Sequence, residues 1–196
     1  MSIHARPFNH QLDPVAARDN LERLPIGLCD EFAHIELVCL DVDGILTDGS
    51  IIYSESGRAL VTFNARDGLG IALLQRAGVS VAFVSALDSP IVRKRAEELH
   101  IKSVCLGVND KLRCVRDMQR HTRGKILFMG DDLWDLAAMR ACDVAASSCD
   151  AAVEALAAAD VISSYGGGRG AVRQIADMTL EAQDIDRGSL MARYDE

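Results

Sequence analysis

From residue 36 onward, short apolar runs alternate with stretches in which apolar residues recur every three or four positions. The runs ELVCLDV, VSVAFVSA, KSVCLG and KILFMGD are near-continuous, as in strands covered on both faces. Between them, DGLGIALLQRAG, SPIVRKRAEELH, NDKLRCVRDMQRH and DLAAMRACD have the spacing of crossover helices. The alternation predicts an α/β fold with a doubly wound, mostly parallel sheet of five or six strands. Gly78 and Gly124 fall just past helix ends, where a left-handed cap is expected. One segment breaks the pattern: GSIIYSESGRALVTFN (49–64) reads as two strands around the turn SESGR. This β-hairpin would form a flap between the first strand and the first helix. Further on, DAAVEALAAAD (150–160) reads as an alanine-rich helix.

Residues 1–34 are polar and punctuated by Pro7, Pro14 and Pro25, with a short helix expected from Pro14 and Asp13 as its cap. The expected organisation is an extension over 1–34, one domain over 35–183 carrying the hairpin, and a tail over 184–196. A chain of 196 residues suffices for one domain with a substantial core. With 49% apolar and 26% charged residues it reads as soluble and globular. The formal net charge of -8 argues against a nucleic-acid partner. An anionic ligand would then need a metal ion or aimed backbone N–H groups. The six cysteines form no CxxC pair and no ligand spacing with histidine, so reduced structural thiols in a cytoplasmic protein are expected. The amino terminus lacks a signal-peptide core, and no apolar run is long enough to span a bilayer, so no membrane partner is expected.

The chemistry lies at the carboxyl ends of the expected strands, which meet in one crevice in this architecture. The first strand ends at Asp41 and Asp43, the second at Ser85, and a later one at Asp131, followed by Asp132 and Asp135; Lys111 follows a further strand by a short loop. Carboxylates, a hydroxyl and a lysine in one crevice are compatible when a hard cation and an anion join them. Mg²⁺ takes one or two carboxylates together with phosphate oxygens. Ser85, Lys111 and the backbone N–H groups around Asp43 and Gly44 are candidate phosphate donors. Asp41 is the candidate nucleophile, forming an aspartyl phosphate. Asp43 is expected to face the same way, because side chains of an extended chain repeat their direction every second residue, and to move protons. Taken singly, Asp41 reads as a turn residue, Lys111 as a solvated helix residue, Asp132 as a helix cap, Asp135 as an exposed helix residue and Trp134 as packing. The set promotes Asp41 and Lys111, while Asp132 stays equally a cap and Trp134 stays packing. GGGRG (166–170) reads as a flexible loop entering the last helix.

DVDGILTDG, the serine after an apolar strand, the lysine of NDK and GDDLWD together resemble the four motifs of the haloacid dehalogenase superfamily of phosphohydrolases. FNARDGLGI (63–71) and YGGGRGAVRQI (165–175) resemble the 3-deoxy-D-manno-octulosonate 8-phosphate phosphatase subfamily, whose product feeds lipopolysaccharide biosynthesis. That group also holds nonulosonate 9-phosphate phosphatases and an assembly module of some cytidylyltransferases. The resemblance implies a Mg²⁺-dependent phosphatase of a sugar-acid phosphate, without a large cap domain, as a homotetramer in which one subunit's hairpin closes a neighbour's site. It implies that Asp41, the backbone carbonyl of Asp43, and Asp131 hold the metal, with Asp132 and Asp135 as outer-shell carboxylates and Ser85 and Lys111 on the phosphate. The subfamily usually has Gly-Arg after its second-motif residue; here Ala86 and Leu87 stand there, and Arg66 and Arg169 are candidate substitutes for substrate contact. Two rival functions are a receiver-type phosphoacceptor and a catalytically idle assembly module. A receiver places its acidic pair first in the chain and lacks a carboxylate at the position of Asp43.

Overall fold

The computed structural model describes residues 27–55 and 57–192; the helix expected from Pro14 lies outside them. Six strands, β1 (Ile35–Leu40), β4 (Ser80–Ser85), β5 (Ser103–Leu106), β6 (Lys125–Met129), β7 (Val144–Ser147) and β8 (Val161–Ile162), form one parallel sheet ordered β5-β4-β1-β6-β7-β8. From β1 the chain winds outward through β4 to β5, then crosses back to β6 and winds the other way. β1 is therefore the topological switch point, and the crevice above its carboxyl end is where such sheets hold ligands. Between β1 and the first long helix, β2 (Ile52–Ser54) and β3 (Gly57–Leu60) pair antiparallel as the expected hairpin.

Both faces of the sheet are covered, which is why its strands read as unbroken apolar runs. Val38 and Leu40 point into one core with Phe83, Leu127 and Met129. That side is covered by α1 (Cys29–Ala33), α2 (Ala65–Arg76), α3 (Pro90–Glu98), α7 (Ala171–Ala182) and α8 (Arg187–Ala192), through residues such as Phe32, Ile71, Val92, Ile175 and Leu190. Leu37 and Cys39 point the other way, with Ala82, Val84, Ile126 and Phe128. There α4 (Lys111–Gln119), α5 (Leu136–Met139) and α6 (Val153–Ala158) close the layer through Val115, Met139 and Ala155. None of the six cysteines is in a disulfide; Cys39 is buried in this second core, while Cys29 and Cys149 are exposed. No helix among the described residues is long and apolar enough to cross a membrane.

Three local expectations are corrected. Gly78 does adopt the left-handed conformation (φ 90°), but Gly124 does not; a side chain at 124 would run into Glu36 and the His34 carbonyl, so close approach is what it provides. The alanine-rich helix spans only Val153–Ala158 because residues before it are used elsewhere. The Ala152 N–H donates to the Asp131 carbonyl at 2.8 Å, and Asp150 Oδ1 accepts from the Gly167 N–H at 3.0 Å. Trp134 is not packed but 67% exposed. In the single 3₁₀ turn Leu133–Asp135, Asp135 takes the inward position and leaves Leu133 and Trp134 facing out.

The start of α7 is capped across the fold. Gly170 precedes that helix and offers no side chain, and Asp67 of α2 accepts from the N–H groups of Gly170 (3.2 Å) and Arg173 (2.8 Å). Asp67 is 1% exposed, so removing its carboxylate strands two donors away from water. Asp67→Ala is expected to destabilise the fold by about 1–3 kcal/mol for each orphaned group, read as a lowered urea midpoint at unchanged slope.

Candidate active site

At the switch point the chain leaves β1 and turns sharply. The Asp41 N–H still continues the sheet to the Met129 carbonyl (2.9 Å), but the N–H groups of Ile45, Leu46 and Thr47 all converge on the Val42 carbonyl at 3.4, 2.9 and 3.0 Å. Asp43 therefore sits in a turn, half-buried, and the alternation of an extended chain does not set its direction. Gly44 follows with φ 90°. A side chain there would collide with the Asp131 carboxylate, so only glycine lets the ends of β1 and β6 close on each other. The Gly44 N–H donates to Thr47 Oγ1 at 3.3 Å, which braces the turn.

Lys111 is the first residue of α4, where the helix dipole disfavours a cation. It nevertheless reaches inward, 5% exposed, and its Nζ lies 2.7 Å from Asp41 Oδ1 and 2.6 Å from Asp135 Oδ1. Asp110 N-caps the helix, accepting from the Arg113 N–H at 3.0 Å. Asp135 is 1% exposed, neither a solvated helix residue nor peripheral: its Oδ2 also accepts from the N–H groups of Asp131 (3.0 Å) and Asp132 (3.2 Å). Asp132 is exposed and caps the 3₁₀ turn, accepting from the Leu133 N–H at 2.6 Å. Ser85 ends β4, the strand next to β1, and is buried, its Oγ accepting from the Leu87 N–H at 3.1 Å. Its own hydrogen has no acceptor among the described residues, which suits a donor to a ligand.

Oxygens of Asp41, Asp131 and Asp135 lie within 4.8 Å of one another. Three carboxylates against one ammonium leave excess negative charge in a place poor in water. Burial pushes the Asp41 carboxyl well above its usual range, Asp135 adds to this, and Lys111 only partly opposes it. Asp131 is pushed up to about 6, first by burial and then by Asp135, while a hydrogen bond with Asp41 pulls the other way. Burial works against the Lys111 ammonium, but Asp41 and Asp135 outweigh it and hold its pKa above the ordinary value. Asp131 Oδ1 is buried with no protein partner. An orphaned carboxylate oxygen beside two more carboxylates fits a hard divalent cation.

GGGRG is a packed wall, not a flexible loop. Side chains at 167 and 168 would collide with the backbone of Gly44 and of Thr47, and the Gly168 N–H donates to the Ile45 carbonyl at 2.9 Å. Asn64 and Asp150 tie the same loop from two further elements, through Asn64 Nδ2 to the Gly168 carbonyl (3.2 Å) and Asp150 Oδ1 from the Gly167 N–H (3.0 Å). Sequence reasoning missed both. Asn64 carried a readable sign as an N-cap ahead of α2; Asp150 carried none. Arg66 and Arg169 line a separate groove that none of the three carboxylates borders.

Three outcomes test this geometry. Lys111→Met would leave Asp41 and Asp135 buried without their cation, and a loss of about 3–5 kcal/mol is expected in metal-free urea unfolding. Mg²⁺ should raise the thermal midpoint of the unaltered chain, and much less that of Asp131→Asn. With Asp131 at about 6, protons compete below that pH, so calorimetric Mg²⁺ affinity should fall on acidification through pH 6 and level off above it.

No family model matches the chain. It is 40% identical over 153 residues to the 3-deoxy-D-manno-octulosonate 8-phosphate phosphatase of Haemophilus influenzae, an alignment covering 76% of this chain and 85% of that one. The cobalt-bound structure of the Haemophilus influenzae phosphatase superposes with a TM-score of 0.76 at 39% identity, over 79% of this chain and 92% of that one. The Moraxella catarrhalis phosphatase, solved with magnesium, phosphate and the sugar acid, superposes with a TM-score of 0.80 at 33% identity, over 86% and 98%. At this identity and coverage, the chain belongs to the 3-deoxy-D-manno-octulosonate 8-phosphate phosphatase family of the haloacid dehalogenase superfamily.

Proposed function

We propose that this chain hydrolyses 3-deoxy-D-manno-octulosonate 8-phosphate in a Mg²⁺-dependent reaction through an aspartyl phosphate on Asp41. Family membership makes it a phosphatase, a hydrolase of phosphoric monoesters. The observation that carries the mechanism is the Lys111 ammonium, 2.7 Å from Asp41 and 2.6 Å from Asp135, beside the orphaned oxygen of Asp131. Asp41, the Asp43 carbonyl and Asp131 would hold the ion, with Asp135 fixing Lys111 and the Asp131 backbone from behind. When bound, the ion neutralises phosphate oxygens and so lets an anionic nucleophile approach an anionic substrate. Lys111 adds a second positive charge, and Ser85 donates its hydroxyl hydrogen to a phosphoryl oxygen. Asp41 attacks phosphorus while Asp43 protonates the departing sugar oxygen. Asp43 then takes a proton from the water that cleaves the acyl phosphate, and Asp41 is regenerated.

The chain would work as a homotetramer in the cytoplasm. Ile51, Ile52, Tyr53 and Leu60 on and beside the hairpin are 55%, 43%, 72% and 58% exposed, an apolar edge that a second subunit would cover. A second reading of the substrate is favoured at one place: Leu87, 42% exposed, stands where the subfamily usually carries arginine and offers a sugar-acid carboxylate no partner, which suits a neutral sugar phosphate.

The test is phosphate release from octulosonate, nonulosonate and neutral sugar phosphates with Mg²⁺ or after its removal. Octulosonate 8-phosphate is expected to give the highest kcat/KM, and a neutral sugar phosphate preferred over both acids would overturn the substrate assignment. Asp41→Asn should lower kcat on the order of 10⁴-fold, the scale on which a catalytic nucleophile's loss falls. Release unchanged in that variant would sink the mechanism. Light scattering during gel filtration should give four chains, and fewer in Tyr53→Glu.

A further inference from the structure

We infer that the groove between the starts of α2 and α7 is an oxyanion site, separate from the carboxylate cluster, that takes one carboxylate or phosphate group of a small ligand per chain. The groove is about 320 Å³ and is lined by Arg66, Arg169 and Arg173, with Tyr165 beside them and Asp177 as its one carboxylate. Its size falls at the small end of ligand pockets.

Charge is the first argument. The chain carries a net charge of -8, yet three of its arginines face one concavity. Like charges gathered in this way repel, and a ligand anion removes that cost. Asp177 does not: its two oxygens already accept from Arg173 Nε, each at 3.0 Å, and Arg187 Nη1 reaches it at 3.0 Å as well. Arg169 reaches Asp48 only at 3.4 Å, with 68% of its side chain exposed, and such a surface pair contributes little. The Arg66 guanidinium has no carboxylate partner among the described residues.

Donor chemistry is the second. Guanidinium groups present paired N–H donors in the plane that carboxylate and phosphate oxygens match, which lysine does not. Tyr165 is 50% exposed and supplies both a ring face and a hydroxyl. The helix ends themselves are occupied: the Arg66 N–H goes to Asn64 at 2.8 Å, and those of Gly170 and Arg173 go to Asp67. Recognition therefore falls to the side chains, with the positive ends of two 12-residue helices behind them. The floor is rigid, because the residues 166–168 that lead into it pack on the turn after Asp41.

The probe is inorganic phosphate, with the phosphate-free sugar acid 3-deoxy-D-manno-octulosonate as a second arm, titrated calorimetrically into chain stripped of metal on a chelating resin. Without a cation the carboxylate cluster repels both anions, so the result stands apart from the catalytic reading. One saturable site per chain is expected, weakened by salt and unchanged in Asp41→Asn. Arg66→Ala combined with Arg169→Ala should weaken it by roughly tenfold or more, with Arg66→Lys in between. The tighter of the two anions identifies the group preferred. Unchanged melting of these surface variants separates lost binding from lost fold. The inference is overturned by no saturable binding up to about 10 mM of either anion. Binding that survives the arginine variants, or that Asp41→Asn abolishes, overturns it equally.

Discussion

A lysine buried between two carboxylates holds this molecule's chemistry in place. Asp41 ends β1, Asp135 closes a 3₁₀ turn after β6, and Lys111 begins α4 from the far side of β4. Without the ammonium, the carboxylates would push the ends of β1 and β6 apart in a setting where water screens poorly. With it, three chain segments are locked to within a hydrogen bond. One ammonium cannot balance three carboxylates, and the remaining negative charge, beside the orphaned oxygen of Asp131, is where a metal ion is wanted. Structure and chemistry thus place opposite demands on charge, and the site meets both by having one cation too few.

Regular structure ends where function begins. β1 stops at Leu40, Gly44 takes a left-handed turn, Asp132 and Asp135 cap a three-residue turn, and α6 starts three residues late so that Asp150 and Ala152 can tie neighbouring loops. Each departure leaves a backbone group that would go unpaired in the interior, and in each case a named side chain or carbonyl takes it up. The irregularity is specified as closely as the sheet.

What could be read from the sequence follows from how local its cause is. The sheet and its crossovers were legible because burial on both faces writes continuous apolar runs, and the crevice followed from strand ends alone. Asp41, Lys111, Asp131 and Asp135 were legible as a set, since each falls at the end of a run or shortly after one. The direction of Asp43 was not, because it depends on a turn closed by three N–H groups on Val42. Nor was the tightness of 166–168, which comes from contact with Gly44 and Thr47 far away in the chain; glycines suggested slack where the backbone needed room. Trp134 misled for the opposite reason: its size suggested burial, but the short turn has one inward position and Asp135 occupies it.

The seat of Gly167 and Gly168 on the turn after Asp41 has a consequence for biosynthesis. A ribosome releases residue 44 long before residue 168, so for most of translation the nucleophile's loop has no roof, and the β6 carboxylate that presses against Gly44 arrives only shortly earlier. Contacts so distant along the chain close late. A nascent or prematurely terminated polypeptide could contain every strand through β7 and still lack an assembled reaction centre. Catalytic competence is thereby deferred until residues 167 and 168 have emerged.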